Sequence, residues 1–231
     1  MFPPTQPWNP KLHWESPAGQ MLDRVIAALP DNRAWEITVF GSAPLQLGLD
    51  PAFLSGDVDI IPTTDSETVA DCLSKVGLLK DQVEYYVEVV PAHVFNAPAD
   101  WRERAYREQR KHVLFVFPHP VDILVAKVCR TAEKDLLAFR LVRDLTGHPT
   151  PEELIVGLRK VVDIYRPTFD EEHGRNALAN TKLLWQEIFG AEIDVQREII
   201  RPALEERRRY LNQGAGLKDK LREIGERGRV G

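Results

Sequence analysis

Asp57 and Asp59 stand two residues apart in Ser55-Gly56-Asp57-Val58-Asp59-Ile60-Ile61-Pro62, and the apolar residues around them make the stretch a strand. On an extended chain side chains alternate, so both carboxylates project from one face while Val58 and Ile60 enter the core. Two acids presented in this way form a clamp for a divalent metal. Upstream, Ile37-Thr38-Val39-Phe40 reads as a second strand, and it ends at Gly41-Ser42. A glycine there tolerates positive φ and lets a phosphate approach backbone N–H groups at the start of the next helix, Ala43 to Leu49. Pro44 suits the first turn of that helix, where its missing N–H costs nothing. Phosphate beside paired carboxylates implies magnesium between them. The fold must therefore bring two strand ends and one turn together.

The order strand, Gly-Ser, short helix, Asp-apolar-Asp-apolar resembles the core motif of the DNA polymerase β-like nucleotidyltransferase superfamily, over Phe40 to Ile60. The resemblance implies a mixed sheet with flanking helices, of the α/β (α+β) class. It also implies a Mg²⁺- or Mn²⁺-dependent enzyme that moves a nucleoside monophosphate from a nucleoside triphosphate such as ATP to a hydroxyl. Asp57 and Asp59 would then be catalytic metal ligands, and Gly41 and Ser42 would bind the β and γ phosphates. Two such carboxylates repel when both are ionised, so one pKa should be raised in the metal-free protein. The superfamily uses a third carboxylate on a neighbouring strand. Glu88, in the strand-forming run Val83 to Val90, is the candidate, and Asp122 in Val121-Asp122-Ile123 is its rival.

The rest of the chain reads as flanking structure. Met21, Leu22, Val25, Ile26 and Leu29 recur at helical spacing in Ala18 to Leu29, which ends at Pro30-Asp31-Asn32. Thr64 or Asp65 caps a helix through Val69, Leu73 and Val76 that closes at Gly77. Ala99 to Lys111 carries Arg102, Arg104, Arg107, Arg110 and Lys111, which as a helix is either a solvated face or a ridge bordering a triphosphate or an RNA backbone. Val113 to Phe117 is a short buried strand. Pro120 to Phe139 reads as one continuous helix with Lys127, Arg130, Thr131, Lys134 and Asp135 along one side.

That segment, Pro120 to Asp135, is similar to the Pro…Asp-Leu-Leu…Lys…Arg…Lys-Asp stretch of bacterial nucleotidyltransferase-fold proteins related to the AbiEii and MenT toxins of abortive-infection and toxin–antitoxin systems. The similarity implies that Lys127 contacts nucleotide phosphate and that Asp135 supports the nucleotide site. It places Asp122 at a helix start, which favours Glu88 for metal. It also implies a tRNA 3′ end or other RNA as acceptor and an antitoxin protein as partner. Where that group often has Arg or Thr before the acid pair, this chain has Ser55-Gly56.

With 231 residues the chain is long enough for a catalytic domain and a helical extension. The expected division is an irregular arm over 1–17 anchored by Trp8 and Trp14, a nucleotidyltransferase-fold domain over 18–145, a helical region over 146–211 and a basic tail over 212–231. The helical region reads as Glu152 to Tyr165, Asp170 to Phe189 and Asp194 to Leu211, a bundle core by its three-and-four spacing. The net charge of −5 argues against a protein coated in positive charge for nucleic acid, although the last 35 residues are basic, as an RNA grip or as a solvated terminus. Cys72 and Cys129 lack the pairing of a zinc site or a disulfide framework, as expected of reduced cysteines in a cytoplasmic protein. The N-terminus is not that of a secretory signal, and no stretch approaches a membrane span. His148 and His173 read as surface residues. Besides RNA, the acceptor classes left open are a small molecule, as in antibiotic nucleotidyltransferases, and a protein side chain. A catalytically silent nucleotide-binding or partner-binding module is the alternative of a different class.

Overall fold

The computed structural model describes residues 6–53, 55–130, 132–166 and 176–212. Its centre is a five-stranded mixed sheet in the order β3-β2-β1-β5-β4, built from β1 (Trp35–Phe40), β2 (Asp57–Pro62), β3 (Tyr86–Val89), β4 (Tyr106–Arg110) and β5 (Val113–Phe117). β1 runs parallel to β5 and antiparallel to β2, β2 runs parallel to β3, and β4 closes the far edge as a hairpin with β5. Alternation divides the strands between two layers. Ile37, Val39, Val58, Ile60, Val87, Phe115 and Phe117 are buried in a core with α1 (Pro17–Ala28) and α3 (Ser66–Lys75). Ser16 caps α1 through Gly19 N–H, and Asp65 caps α3 through Thr68 N–H.

The opposite face, with Phe40, Asp57, Asp59, Ile61, Glu88 and Val90, carries the site. Phe95 packs on Phe40 and Ile61 there, with Trp101 edge-on to Phe95. A second apolar core joins α2 (Ala43–Gly48) to the helices that follow the sheet: α5 (Pro120–Lys127), α6 (Glu133–Thr146), α7 (Pro151–Lys160) and α8 (Ala177–Phe189). A π-helical turn, Gln196–Ile200, continues as helix to residue 212. The class is thus α/β, with a mixed sheet, flanking helices and a helical C-terminal region. Among the described residues no helix is long and apolar enough to cross a membrane.

Several expectations are corrected. Residues 99–111 are not one helix: a single turn, α4 (Trp101–Arg104), precedes β4, because Tyr106 to Arg110 pairs residue by residue with β5. The cations of the expected ridge are dispersed as a result. Arg102 binds Glu36, Arg104 binds Asp100 and Asp122, and Arg110 binds Asp23 and lies over the Trp14 ring. Secondly, the helix expected from Pro120 to Phe139 breaks after Lys127 and restarts at Glu133. Thirdly, His148 is no lone surface residue, since its Nδ1 meets Glu153 Oε2 at 2.7 Å beside the Thr150 capping box of α7.

The expected helix Glu152 to Tyr165 divides at Val161 into α7 and a 3-10 turn. In the N-terminal arm Trp8 is 2% exposed and stacks so close to Gly48 that a Cβ there would lie 2.5 Å from its ring. Thr131, His173 and the tail beyond residue 212 lie outside the described residues.

Candidate metal and nucleotide site

The backbone places the acids before any side chain chooses a rotamer. Asp59 is the cross-strand partner of Phe40 on one side and of Glu88 on the other, and Asp57 pairs with Tyr86. Asp57, Asp59 and Glu88 therefore share a face, and each offers a carboxylate oxygen within 4.8 Å of the others. Such a set of hard oxygen donors fits a divalent cation such as Mg²⁺ or Mn²⁺. Burial pushes the Asp59 carboxyl up to about 7, with the charges of Asp57 and Glu88 adding to the rise and those of Lys127 and Arg130 opposing it. A bound cation would reverse that balance by favouring the ionised form.

Gly41 explains how the Gly41-Ser42 turn and the acids come so close. Its φ is +73°, a conformation that L side chains rarely adopt, and a Cβ at this position would lie 2.3 Å from Asp59 Oδ2. Only glycine leaves room for the carboxylate. Ser42 follows as the residue preceding α2 and is 9% exposed. The loop that delivers Asp57 is tied down by buried Gln46, whose Oε1 accepts from Ala18 N–H and whose Nε2 donates to Phe53 O. Ser55 Oγ donates to Asp57 O at 2.7 Å.

The cations come from the break between α5 and α6. On a continuous helix, residues 127 and 135 would be about 12 Å apart along the axis, yet Lys127 Nζ lies 2.9 Å from Asp135 Oδ1. The turn folds Lys127 and Arg130 back onto that one carboxylate, which also accepts the Ala132 N–H at 2.9 Å. Lys127 is 5% exposed and donates to Ser42 Oγ at 3.1 Å, linking the cation cluster to the Gly41-Ser42 turn. Burial would raise the Asp135 carboxyl, but Arg130 and Lys127 outweigh it and hold the group down at about 2. Burial lowers the Lys127 ammonium from the ordinary lysine value, against the pull of Asp135. Asp135 is fully enclosed, so it reaches a ligand only through the two cations it holds.

Gly41, Asp59, Glu88, Lys127 and Arg130 line one cleft of about 930 Å³. Its walls are Phe40 and the segment from Val90 to Ala97 on the sheet side, and Ile123, Ala126, Val161, Ile164 and Ala177 on the helical side. The volume is that of a ligand-sized pocket. Asp122 is elsewhere: it is 2% exposed in the first turn of α5, held by Arg104 at 2.8 and 3.2 Å, and it does not join the acidic cluster. Arg130, which the sequence placed with Lys127 in a stripe of cations along one helix side, also lines the cleft. Its signal was the three-residue spacing from Lys127, but the fold of both onto Asp135 depends on a helix break that no glycine or proline announces.

A family model described as a nucleotidyltransferase of unknown function (DUF6036) matches residues 20–140. No curated protein and no solved structure matches the chain. The matched span contains β1 to β5, the three clustered acids, the Gly41-Ser42 turn and both cations.

Proposed function

The chain belongs to that family of nucleotidyltransferases of unknown function, and from this membership and the geometry of the cleft we propose that it transfers a nucleoside monophosphate from a nucleoside triphosphate to a hydroxyl acceptor. The observation that carries the proposal is the convergence of Asp57, Asp59 and Glu88, within 4.8 Å, with Asp59 and Glu88 lining a cleft that Lys127 and Gly41 also line. Asp57 and Asp59 would hold the metal, and Glu88 on the edge strand β3 would complete the set. Mg²⁺ or Mn²⁺ held there supplies charge neutralisation of the triphosphate and activation of the acceptor oxygen. Gly41 and Ser42 receive the β and γ phosphates. Lys127, fixed by Asp135 and Ser42, offsets the charge that develops as pyrophosphate leaves. The acceptor oxygen bonds to the α-phosphorus, the bridging α–β oxygen leaves with pyrophosphate, and the acceptor proton passes to water.

In this reading residues 18–145 form the catalytic unit and the helical region from 146 onward closes one side of the cleft, as Val161, Ile164 and Ala177 support. For the acceptor, the similarity of Pro120 to Asp135 to the AbiEii and MenT group favours RNA, with the tRNA 3′ end first, and an antitoxin as the cognate partner. The test is Mg²⁺-dependent transfer of label from α-labelled nucleoside triphosphates into purified tRNA or total RNA, with Asp57→Ala/Asp59→Ala as control. Labelled RNA that disappears in the double variant is the expected result. Label moving to a protein or a small hydroxyl compound would assign a different acceptor. Nucleotide binding without transfer to any acceptor would identify a silent binding module and overturn the proposal.

A further inference from the structure

Asp135 carries one negative charge and holds two positive ones. Its Oδ1 accepts from Lys127 Nζ at 2.9 Å and from Arg130 Nη2 at 3.0 Å, and its Oδ2 from Arg130 Nε at 3.1 Å and Ala132 N–H at 2.9 Å. For anchoring the α5–α6 turn, the Lys127–Asp135 pair alone would be electrically balanced. Arg130 adds a net positive charge. The two cations also differ in what they present: the Lys127 side chain is 5% exposed with its amino group bound to Asp135 and Ser42, whereas the Arg130 side chain is 57% exposed and lines the cleft with Asp59 and Glu88. Asp135 engages two of the five N–H donors of the guanidinium, which leaves a planar fork of the kind that grips phosphate.

We propose that Arg130 is a phosphate-contacting residue that binds the departing pyrophosphate alongside Lys127, and that Asp135 is the positioning residue that makes the two cations one clamp. The proposal rests on the nucleotidyl-transfer reading and adds to it a named group for the leaving side. The acids that line the same cleft supply its counter-charge in the free protein. Once a divalent cation neutralises them, the surplus charge at Arg130 is available to an anion. Lysine cannot replace it fully, because an ammonium cannot chelate Asp135 through two parallel N–H groups and still present a fork.

The test is calorimetric titration of inorganic pyrophosphate with Mg²⁺ into the full chain, for wild type, Arg130→Gln, Arg130→Lys and Asp57→Asn/Asp59→Asn, with thermal unfolding of each measured alongside. Loss of a charge-assisted contact predicts pyrophosphate affinity about tenfold to a hundredfold weaker in Arg130→Gln, with Arg130→Lys between it and wild type. A lower melting temperature with unchanged pyrophosphate affinity would make Arg130 purely structural and overturn the proposal. Should Arg130→Gln fail to fold, Arg130→Lys decides the matter, wild-type affinity again counting against the contact. If wild type binds no pyrophosphate with Mg²⁺, or if the double Asp variant binds it equally well, the underlying nucleotidyl-transfer reading fails instead.

Discussion

Asp59 lies against Gly41 with Asp57 two residues back on its own strand and Glu88 beside it on β3, and burial, with those charges adding to it, raises its carboxyl from the ordinary aspartate range to about 7. The folded state therefore holds a proton that the unfolded chain releases at lower pH. That contribution to stability is complete below the ordinary carboxylate range and is lost as pH rises through about 7. Melting temperature of the metal-free protein should accordingly fall from about pH 4 to about pH 7 and level off above it. Asp59→Asn should flatten that slope, and Mg²⁺ should oppose it in wild type but not in the variant. A pH series of thermal melts checks this, and an identical slope in the variant would assign the effect to other groups. Gly41→Ala tests the same spot sterically. A Cβ 2.3 Å from Asp59 Oδ2 must displace the carboxylate, and alanine at φ +73° is itself strained. Divalent-metal affinity should fall by about ten- to a hundredfold, measured by Mn²⁺ binding, and unchanged affinity would mean that Asp59 does not bind metal. At this scale the sequence was informative where chemistry is local. Strand parity alone puts Asp57 and Asp59 on one face, and the glycine requirement follows from the turn. The pairing of Asp59 with Glu88 needed the strand order, which no local pattern encodes.

Among the elements, the turn between α5 and α6 shapes the cation cluster, and the contact between α5 and α7 fixes where that turn sits. Gly157 in α7 faces Val125 in α5 so closely that a Cβ would lie 2.7 Å from Val125 Cγ2. Valine is stiff at χ1 and does not swing aside at little cost. Gly157→Ala should therefore destabilise the protein by about 1–3 kcal/mol, the usual cost of overpacking, and move the helical wall of the cleft. Denaturant unfolding measures the first effect, and stability equal to wild type would show that α7 shifts freely. The elements that were hard to read have a common physical cause. Val128 to Ala132 contains no breaker residue, and the break is stabilised by long-range ion pairs on Asp135 rather than by local propensity. Tyr106 to Arg110 is dominated by residues at home in helices, and its strand conformation comes from pairing with β5 along its full length.

For the molecule as a whole, one face of the sheet is packed into a core and the other carries the candidate site. α1 and α3 cover the first, while the second is shared between aromatic packing at Phe40, Phe95 and Trp101 and the cleft that α5, α7 and α8 border. The α/β class and the helical C-terminal region were legible because they depend on hydrophobic period, which is local. The cleft was not, because it is made by the juxtaposition of residues from 40 to 177. The central claim is that Asp57, Asp59 and Glu88 bind metal while the triphosphate lies between them and the Lys127–Arg130 pair. A crystal structure with Mn²⁺ and a non-hydrolysable nucleoside triphosphate, read by anomalous scattering, tests it most directly. The account predicts an anomalous peak bound by oxygens of all three acids, with phosphates reaching Gly41-Ser42 and the two cations. Manganese bound away from Asp57 and Asp59, or a nucleotide seated outside this cleft, would contradict it.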